Sequence, residues 1–394
     1  MIHRPSFEVA DIVRAHRSQF IEEYGHLINA DQIRVLNAIE NCRTAVLGGH
    51  VSECDQCGHQ VISYNSCRNR HCPKCQGASR EQWLAERTGE LLPVPYFHVV
   101  FTLPQLLAPL ALQNKRLMYG MLFRAASETL LEIAADPKHL GANIGFLGVL
   151  HTWGQNLLHH PHIHFVIPGG GLSDDHTRWV GSSDRFLLPV KVLSRVFRGK
   201  FLGFLRRAFR KGKLVFHGDL ASLAEDGAFN KLVNRAFECE WVVYAKPPFG
   251  GPEQVLRYLA RYTHRVAISN SRILSVEGDE VTFRWKDYTH GNKNKAMTVR
   301  ATEFLRRFLI HVLPKGFVRI RLFGFLANRR RAKMLAVCRQ VLNAKATPKP
   351  DAAAEPTEPL KCPSCNSGYL RTVENLQPQL PCRRTRTRRG FDSS

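Results

Sequence analysis

The run from Leu150 to Ile167 constrains the fold more than any other stretch. It reads Leu150-His151-Thr152-Trp153, then Gly154 to His159, then His160-Pro161-His162-Ile163-His164-Phe165-Val166-Ile167. Its pattern is that of a hairpin: an apolar run from Gly148 to Trp153, a connection over Gly154 to His159, and a second run from Pro161 to Ile167. Side chains alternate faces along a strand, so His162 and His164 share one face, about 7 Å apart, while Ile163 turns the other way. Antiparallel pairing across the connection brings His151 beside His162. Three imidazoles on one face can hold one metal ion and leave positions open for substrate. A single strand histidine is usually a hydrogen-bonded core residue. A pair at i and i+2, with a third on the partner strand, points to a ligand set. His160 shares that face, but Pro161 cannot donate to a ladder and suits a strand's start. His160 therefore reads as the strand entry, and Gln155 as the reserve for the third ligand.

Two Cys-x2-Cys pairs lie upstream, Cys54/Cys57 and Cys72/Cys75, with fourteen residues between them. Each pair makes a tight knuckle presenting two thiolates, and the spacing predicts one zinc site closed by all four. Cys67, His59 and His71 are spare candidates for a variant set. A closed structural zinc site folds its module and is expected to present Arg68, Arg70 and Lys74 to phosphates. A redox role is disfavoured, since no thioredoxin-like pattern surrounds either pair. Near the other end, Cys362-Pro363-Ser364-Cys365 is half a knuckle, with Cys382 as a further cysteine and no fourth ligand after it.

Charge indicates the partner. Lys plus Arg number 56 against 33 Asp plus Glu, a formal +23 over 394 residues. Such an excess fits a polyanion, nucleic acid before a membrane surface, because no basic amphipathic helix stands apart from the globular pattern. Val190 to Lys213 reads as a helix with Arg195, Arg198, Arg206, Arg207 and Arg210 among its cations and no acidic residue, as expected for contacts to backbone phosphates. The start of the sequence lacks a secretory apolar core, and the apolar stretch from Leu91 to Leu112 is broken by four prolines and His98. A cytoplasmic location with reduced thiols is expected. No Walker-type G-x-x-x-x-G-K-[ST] occurs, so any unwinding motor comes from elsewhere, a host helicase being the expected partner.

Taken in order, residues 6 to 44 predict two helices, the second capped by Asp31, and Tyr96 to Pro104 predicts a strand. Trp241 to Ala245 predicts another strand, 272 to 286 a hairpin turned at Glu277-Gly278-Asp279, 287 to 295 a polar loop, and 302 to 312 and 325 to 342 two helices. From 344 to 360 the composition falls to Pro, Ala, Thr and Glu, a flexible linker, and Arg383 to Arg389 suggests a basic arm. Between these, Arg257-Tyr258-Leu259-Ala260-Arg261-Tyr262 places Tyr258 and Tyr262 four apart on one helix face with Arg257 and Arg261 beside them. Two phenols flanked by two guanidiniums suit nucleophilic attack on phosphate, though half-buried packing tyrosines have the same spacing.

In this order the cysteine module, the Phe97-to-Pro104 strand, the His162-Ile163-His164 strand and the Tyr258-x3-Tyr262 helix resemble the two-tyrosine HUH (His-hydrophobic-His) rolling-circle transposases of bacterial insertion sequences, the IS91 type. The resemblance covers roughly residues 8 to 325. It implies an α+β fold: an antiparallel HUH-endonuclease sheet flanked by helices, preceded by a small helical and zinc-ribbon domain. The domains expected are 1–90 for zinc binding and DNA recognition, 91–343 for catalysis, and 344–394 as linker and basic tail. It further implies a single-strand DNA endonuclease and strand transferase acting on transposon ends and target DNA. His162 and His164 would be ligands of a catalytic Mg2+ or Mn2+, and Tyr258 and Tyr262 nucleophiles forming a 5′-phosphotyrosyl link. His151 as third ligand rests on the strand pairing and on similarity to the histidine triad of conjugative relaxases. A replication initiator or relaxase shares these sites. A non-catalytic zinc-finger regulator and a metallohydrolase using activated water remain alternative readings of the same residues.

Overall fold

The computed structural model describes residues 5–183, 187–246, 267–287, 293–344 and 360–379, with the single residues 254 and 291. Its centre is a five-stranded sheet, ordered β12-β4-β5-β3-β8 and antiparallel throughout. The strands are β3 (Tyr96–Thr102), β4 (Gly145–Trp153), β5 (His159–Pro168), β8 (Val243–Lys246) and β12 (Ile320–Gly324). This is the α+β architecture expected, with the histidine hairpin β4–β5 inside the sheet and not at its edge.

Alternation gives the sheet two different faces. Phe97, Val99, Phe101, Phe146, Leu150, Ile163, Phe165 and Ile167 point to one side and form the main core. Helices α5 (Lys115–Ala135) and α6 (Val190–Arg210) cover that side; Phe197 of α6 meets Phe101 edge-on at 5.0 Å and Trp241 at 5.0 Å. Each such aromatic contributes about 2–3 kcal/mol by leaving water. Gly148 makes room here, because a Cβ at that position would lie 2.6 Å from the Phe165 ring. The opposite face carries His98, Val100, Val149, His151, His162, His164 and Val166. At its Val166 end it is capped by Tyr96, Phe325 and the helix α9 (Arg331–Val341).

A second core lies at the histidine end. Helices α1 (Val9–Tyr24) and α2 (Ala30–Glu40) bury Val9, Ile12, Val13, Phe20, Leu36 and Ile39 against α8 (Ala301–Leu309) and the sheet of β9 (Ile273–Glu277), β10 (Glu280–Asp287) and β11 (Lys293–Arg300). The cap of α2 is Asn29, in a reciprocal box with Gln32, and not Asp31. Residues 293–295, expected as loop, belong to β11, which adds a third strand beside the β9–β10 hairpin, and the helix expected over 325 to 342 spans only Arg331–Val341, after β12, a strand the sequence reading did not include. Both are edge strands: β11 is polar and mostly exposed although its partner β10 is adjacent, and β12 is half-buried and pairs with β4, far away in sequence.

The third sheet, β13-β1-β2, joins β1 (Gly49–Cys54) and β2 (Gln60–Tyr64) to β13 (Leu370–Leu376). Residues 360–379, expected within a flexible tail, are thus folded onto the N-terminal module. Among the described residues no helix is long and apolar enough to cross a membrane.

Candidate metal centre

The β4–β5 turn shapes the site. Gly154 N–H donates to Leu158 C=O at 2.9 Å, and Leu157 is left-handed (φ 63°) although it is branched and wholly buried. That conformation is unfavourable for leucine; burial of its side chain in the second core offsets it. The turn sets the register that pairs His151 with His162, as the alternation predicts. Gln155 lies in the turn, outside the strands.

His151, His162 and His164 bring a ring nitrogen each to within 4.8 Å of one another. Their ring centroids are 4.4 Å (151–164), 4.8 Å (162–164) and 5.4 Å (151–162) apart. Each ring is held from behind. Trp153 stacks on His151 at 4.6 Å. His162 Nδ1 lies 2.7 Å from the His160 carbonyl, so it carries the proton and leaves Nε2 with its lone pair. His160 therefore serves through its backbone. His164 Nδ1 lies 2.7 Å from Nε2 of His98 on β3, the rings stacked at 5.0 Å. Burial, then the charge of His160, lowers His162 to about 3; burial, then Lys246, lowers His98 to about 4; burial holds His164 well below the usual value. His162 and His164 are held neutral with Nδ1 engaged, which leaves Nε2 of each ring to a divalent cation, so the donor set fits one.

His98 was read only as part of a strand. The signal available was its place two residues from Val100, on the face that a paired strand could share with His164. Arg257, Tyr258, Arg261 and Tyr262 lie outside the described residues. The strand preceding them, β8, ends at Lys246, whose partner across the ladder is His98.

The cysteines are arranged differently from expectation. Cys54 and Cys57 do not meet Cys72 and Cys75. Two separate groups of four form instead, Cys42/Cys67/Cys72/Cys75 and Cys54/Cys57/Cys362/Cys365. A Cys-x2-Cys knuckle supplies half a tetrahedron, and sequence proximity does not choose the other half. In the first group Cys75 Sγ lies 3.6 Å from Cys42 Sγ and 3.5 Å from Cys67 Sγ, near the roughly 3.8 Å edge of a tetrahedron with Zn–S of about 2.3 Å. Cys42 follows α2 and was read only as a helix residue; Cys382 lies outside the described residues.

Two expected phosphate ligands are used internally. Arg70 donates to the carbonyls of Phe317 (2.6 Å) and Pro314 (3.0 Å), and Lys74 is paired with Glu8 and largely buried. Arg68 is exposed. On α6, Arg195, Arg206, Arg207 and Arg210 are exposed, while Arg198 lies over the Phe237 ring at 4.5 Å. Because α6 covers the apolar face, these cations lie on the layer opposite the histidines.

Residues 145–333 match a family model described as "putative transposase", and residues 12–103 match a transposase zinc-binding domain. The chain is 55% identical over 379 residues to a "putative transposase", y4qJ, of Sinorhizobium fredii, covering 93% of this chain and 95% of that one. It is 28% identical over 358 residues to the transposase for insertion sequence element IS801 of Pseudomonas savastanoi pv. phaseolicola, covering 87% and 83%. No solved structure matches.

Proposed function

Because the chain belongs to the IS91-type transposase family with an N-terminal transposase zinc-binding domain, we propose that it nicks single-stranded DNA at element ends through a tyrosine and transfers the strand. The observation that carries this is the convergence of His151, His162 and His164 on one face of the central strands, with Nδ1 of His162 held by the His160 carbonyl and Nδ1 of His164 by the His98 ring. Their Nε2 and neighbouring donors would hold Mg2+ or Mn2+, which when bound supplies charge stabilisation at the scissile phosphate. The chain enters the Tyr258 and Tyr262 segment from Lys246, opposite His98. The phenol oxygen of one tyrosine attacks phosphorus and its proton leaves to water. The bond to the 3′ oxygen breaks, and that oxygen takes up a proton as a free 3′-OH. The 5′-phosphotyrosyl bond conserves the phosphodiester's energy, so a later 3′-OH can reverse the step and rejoin strands without ATP.

Cys42, Cys67, Cys72 and Cys75 hold a structural zinc ion in this reading. Residues 1–90 then serve DNA recognition and 91–343 catalysis, in the cytoplasm, with a host helicase opening the duplex. Arg68 and the outward cations of α6 contact backbone phosphates away from the cleavage site, as do Arg257 and Arg261 near it.

The test is incubation of labelled single-stranded element-end DNA with Mg2+ or Mn2+ on a denaturing gel, for the native chain, Tyr258→Phe, Tyr262→Phe and the double variant. A retarded covalent adduct that the double variant lacks is expected. Cleavage with no adduct would move the assignment to an activated-water hydrolase, and binding without cleavage to a regulator.

A further inference from the structure

We propose that Cys54, Cys57, Cys362 and Cys365 bind a second zinc ion, which closes one ribbon from segments about 300 residues apart. Cys362 and Cys365 lie outside both matched family segments, 12–103 and 145–333. The proposal stands independently of the tyrosine chemistry.

Distance is the first argument. Cys54 Sγ lies 3.7 Å from Cys365 Sγ, and Cys57 Sγ 3.7 Å from Cys362 Sγ. Disulfides need about 2.05 Å, whereas thiolates around one zinc ion stand about 3.8 Å apart. The second argument is that the two knuckles repeat one backbone design. The Cys54 carbonyl accepts from Gly58 N–H at 3.1 Å, and the Cys362 carbonyl from Asn366 N–H at 3.0 Å. Gly58 (φ 70°) and Asn366 (φ 56°), each four residues after its first cysteine, are both left-handed, as glycine and asparagine tolerate. Backbone N–H groups point at sulfur in both: Gln56 to Cys54 (3.4 Å), Ser364 to Cys362 (3.4 Å) and Gly368 to Cys365 (3.3 Å). Such donors favour the thiolate over the thiol. Gly368 also has to be a glycine, since a Cβ there would lie 2.5 Å from Cys54 Sγ.

Energetics supply the third argument. None of the described residues of β1, β2 or β13 belongs to an apolar core cluster. β2 and β13 are mostly exposed. Their pairing, with the reciprocal Asp55–Tyr369 bonds (3.1 and 2.9 Å), gives backbone order, while apart from the cysteines Val51 is the one apolar side chain buried among the described residues of the three strands. Small three-stranded sheets of this kind need another source of folding energy, and a tetrathiolate zinc ion supplies it outright. The ion also fixes where the chain continues: Gln379 N–H reaches Ala45 C=O at 3.4 Å, four residues before the arginine-rich run that starts at Arg383.

Metal analysis of the full chain tests this. Cys362→Ser/Cys365→Ser is expected to lose one zinc equivalent per chain relative to the native protein, and Cys42→Ser/Cys67→Ser a different one. After Co2+ substitution, the thiolate charge-transfer band of either variant should fall by about half. Unchanged zinc content in the Cys362/Cys365 variant overturns the proposal. A second measurement keeps all cysteines: a protease site is inserted between residues 350 and 351 and the chain is cut. The C-terminal fragment should co-elute with the rest until a chelator strips the zinc. A fragment that leaves with the metal still bound, or stays after analysis shows the metal gone, overturns the assignment. Neither readout depends on DNA cleavage, so failure here leaves the endonuclease reading standing.

Discussion

Acidification should destabilise this fold through a histidine that takes no part in the metal triad. His159 is buried between the Tyr119 hydroxyl (2.8 Å from Nε2) and the Ala108 carbonyl (3.1 Å from Nδ1). Burial first, then the charge of Lys115, lowers it to about 3, against about 6.5 in an unfolded chain. Between those values the unfolded chain binds a proton that the folded one refuses. Stability from this residue is therefore present above pH 6.5 and lost as pH falls towards 3. From pH 7 to pH 5 the loss is about 2 kcal/mol. In His159→Gln the titrating group is gone. The variant should be less stable at pH 7 by about 1–3 kcal/mol, from the broken Tyr119 contact. It should then lose about 2 kcal/mol less than the native chain on moving to pH 5, so the two stability curves converge. Urea unfolding at pH 7 and pH 5, with equal m values, measures both quantities. Parallel curves would refute the claim that a neutral, buried His159 is part of the acid response.

His98→Ala removes the partner of His164 Nδ1 and should weaken Mn2+ binding at the triad about 10–100-fold by calorimetry. Zinc content should be unchanged, and a change under twofold would remove His98 from a positioning role. Phe165→Ala empties a fully buried site ringed by Phe101, Phe146 and Phe323. It should cost about 3–5 kcal/mol in urea unfolding; a cost below about 1 kcal/mol would mean the core collapses around it. Replacing Arg206, Arg207 and Arg210 by Glu should weaken DNA binding uniformly across sequences. The slope of log K against log salt should fall by up to about 3, while nicking of saturating short single strands continues; an unchanged slope would show that α6 does not meet phosphate.

The hairpin was legible because strand alternation is local. His162 and His164 share a face whatever the tertiary structure, and only the turn length was needed to bring His151 opposite His162. His98 was not, because its role depends on β3 pairing with β5, a choice made by the sheet as a whole. The cysteine groups show the same limit. Each Cys-x2-Cys knuckle could be read from spacing, but Cys54 and Cys57 meet cysteines 311 and 305 residues away. Cys42, apart from any pair, carried no local signal. Cations were over-read for a related reason. Sequence shows a charge but not the carbonyls of residues 314 and 317 that receive Arg70.

Those internal contacts tie the cysteine module to the histidine triad. Arg70 grips the 314–317 loop, and His71 Nε2 accepts the Leu313 N–H at 3.2 Å. Burial lowers His71 to about 3, so it stays a neutral acceptor at pH 7. Just upstream in the same segment, His311 spans to the hairpin: one nitrogen lies 3.0 Å from the Leu157 carbonyl and the other 3.2 Å from Thr152 Oγ1. Leu157 and Cys72 lie in one apolar cluster. The first cysteine group therefore braces, through 311–317, the turn that sets the register of His151 against His162. Loosening it would reach the triad through packed side chains and hydrogen bonds, without passing through DNA. A module of this kind is costly to move as a rigid DNA reader, because any displacement drags on the hairpin. In the proposed function, DNA recognition is therefore better placed on its exposed residues, such as Arg68, and on the ribbon of β1, β2 and β13, which shares no apolar cluster with the rest of the described chain.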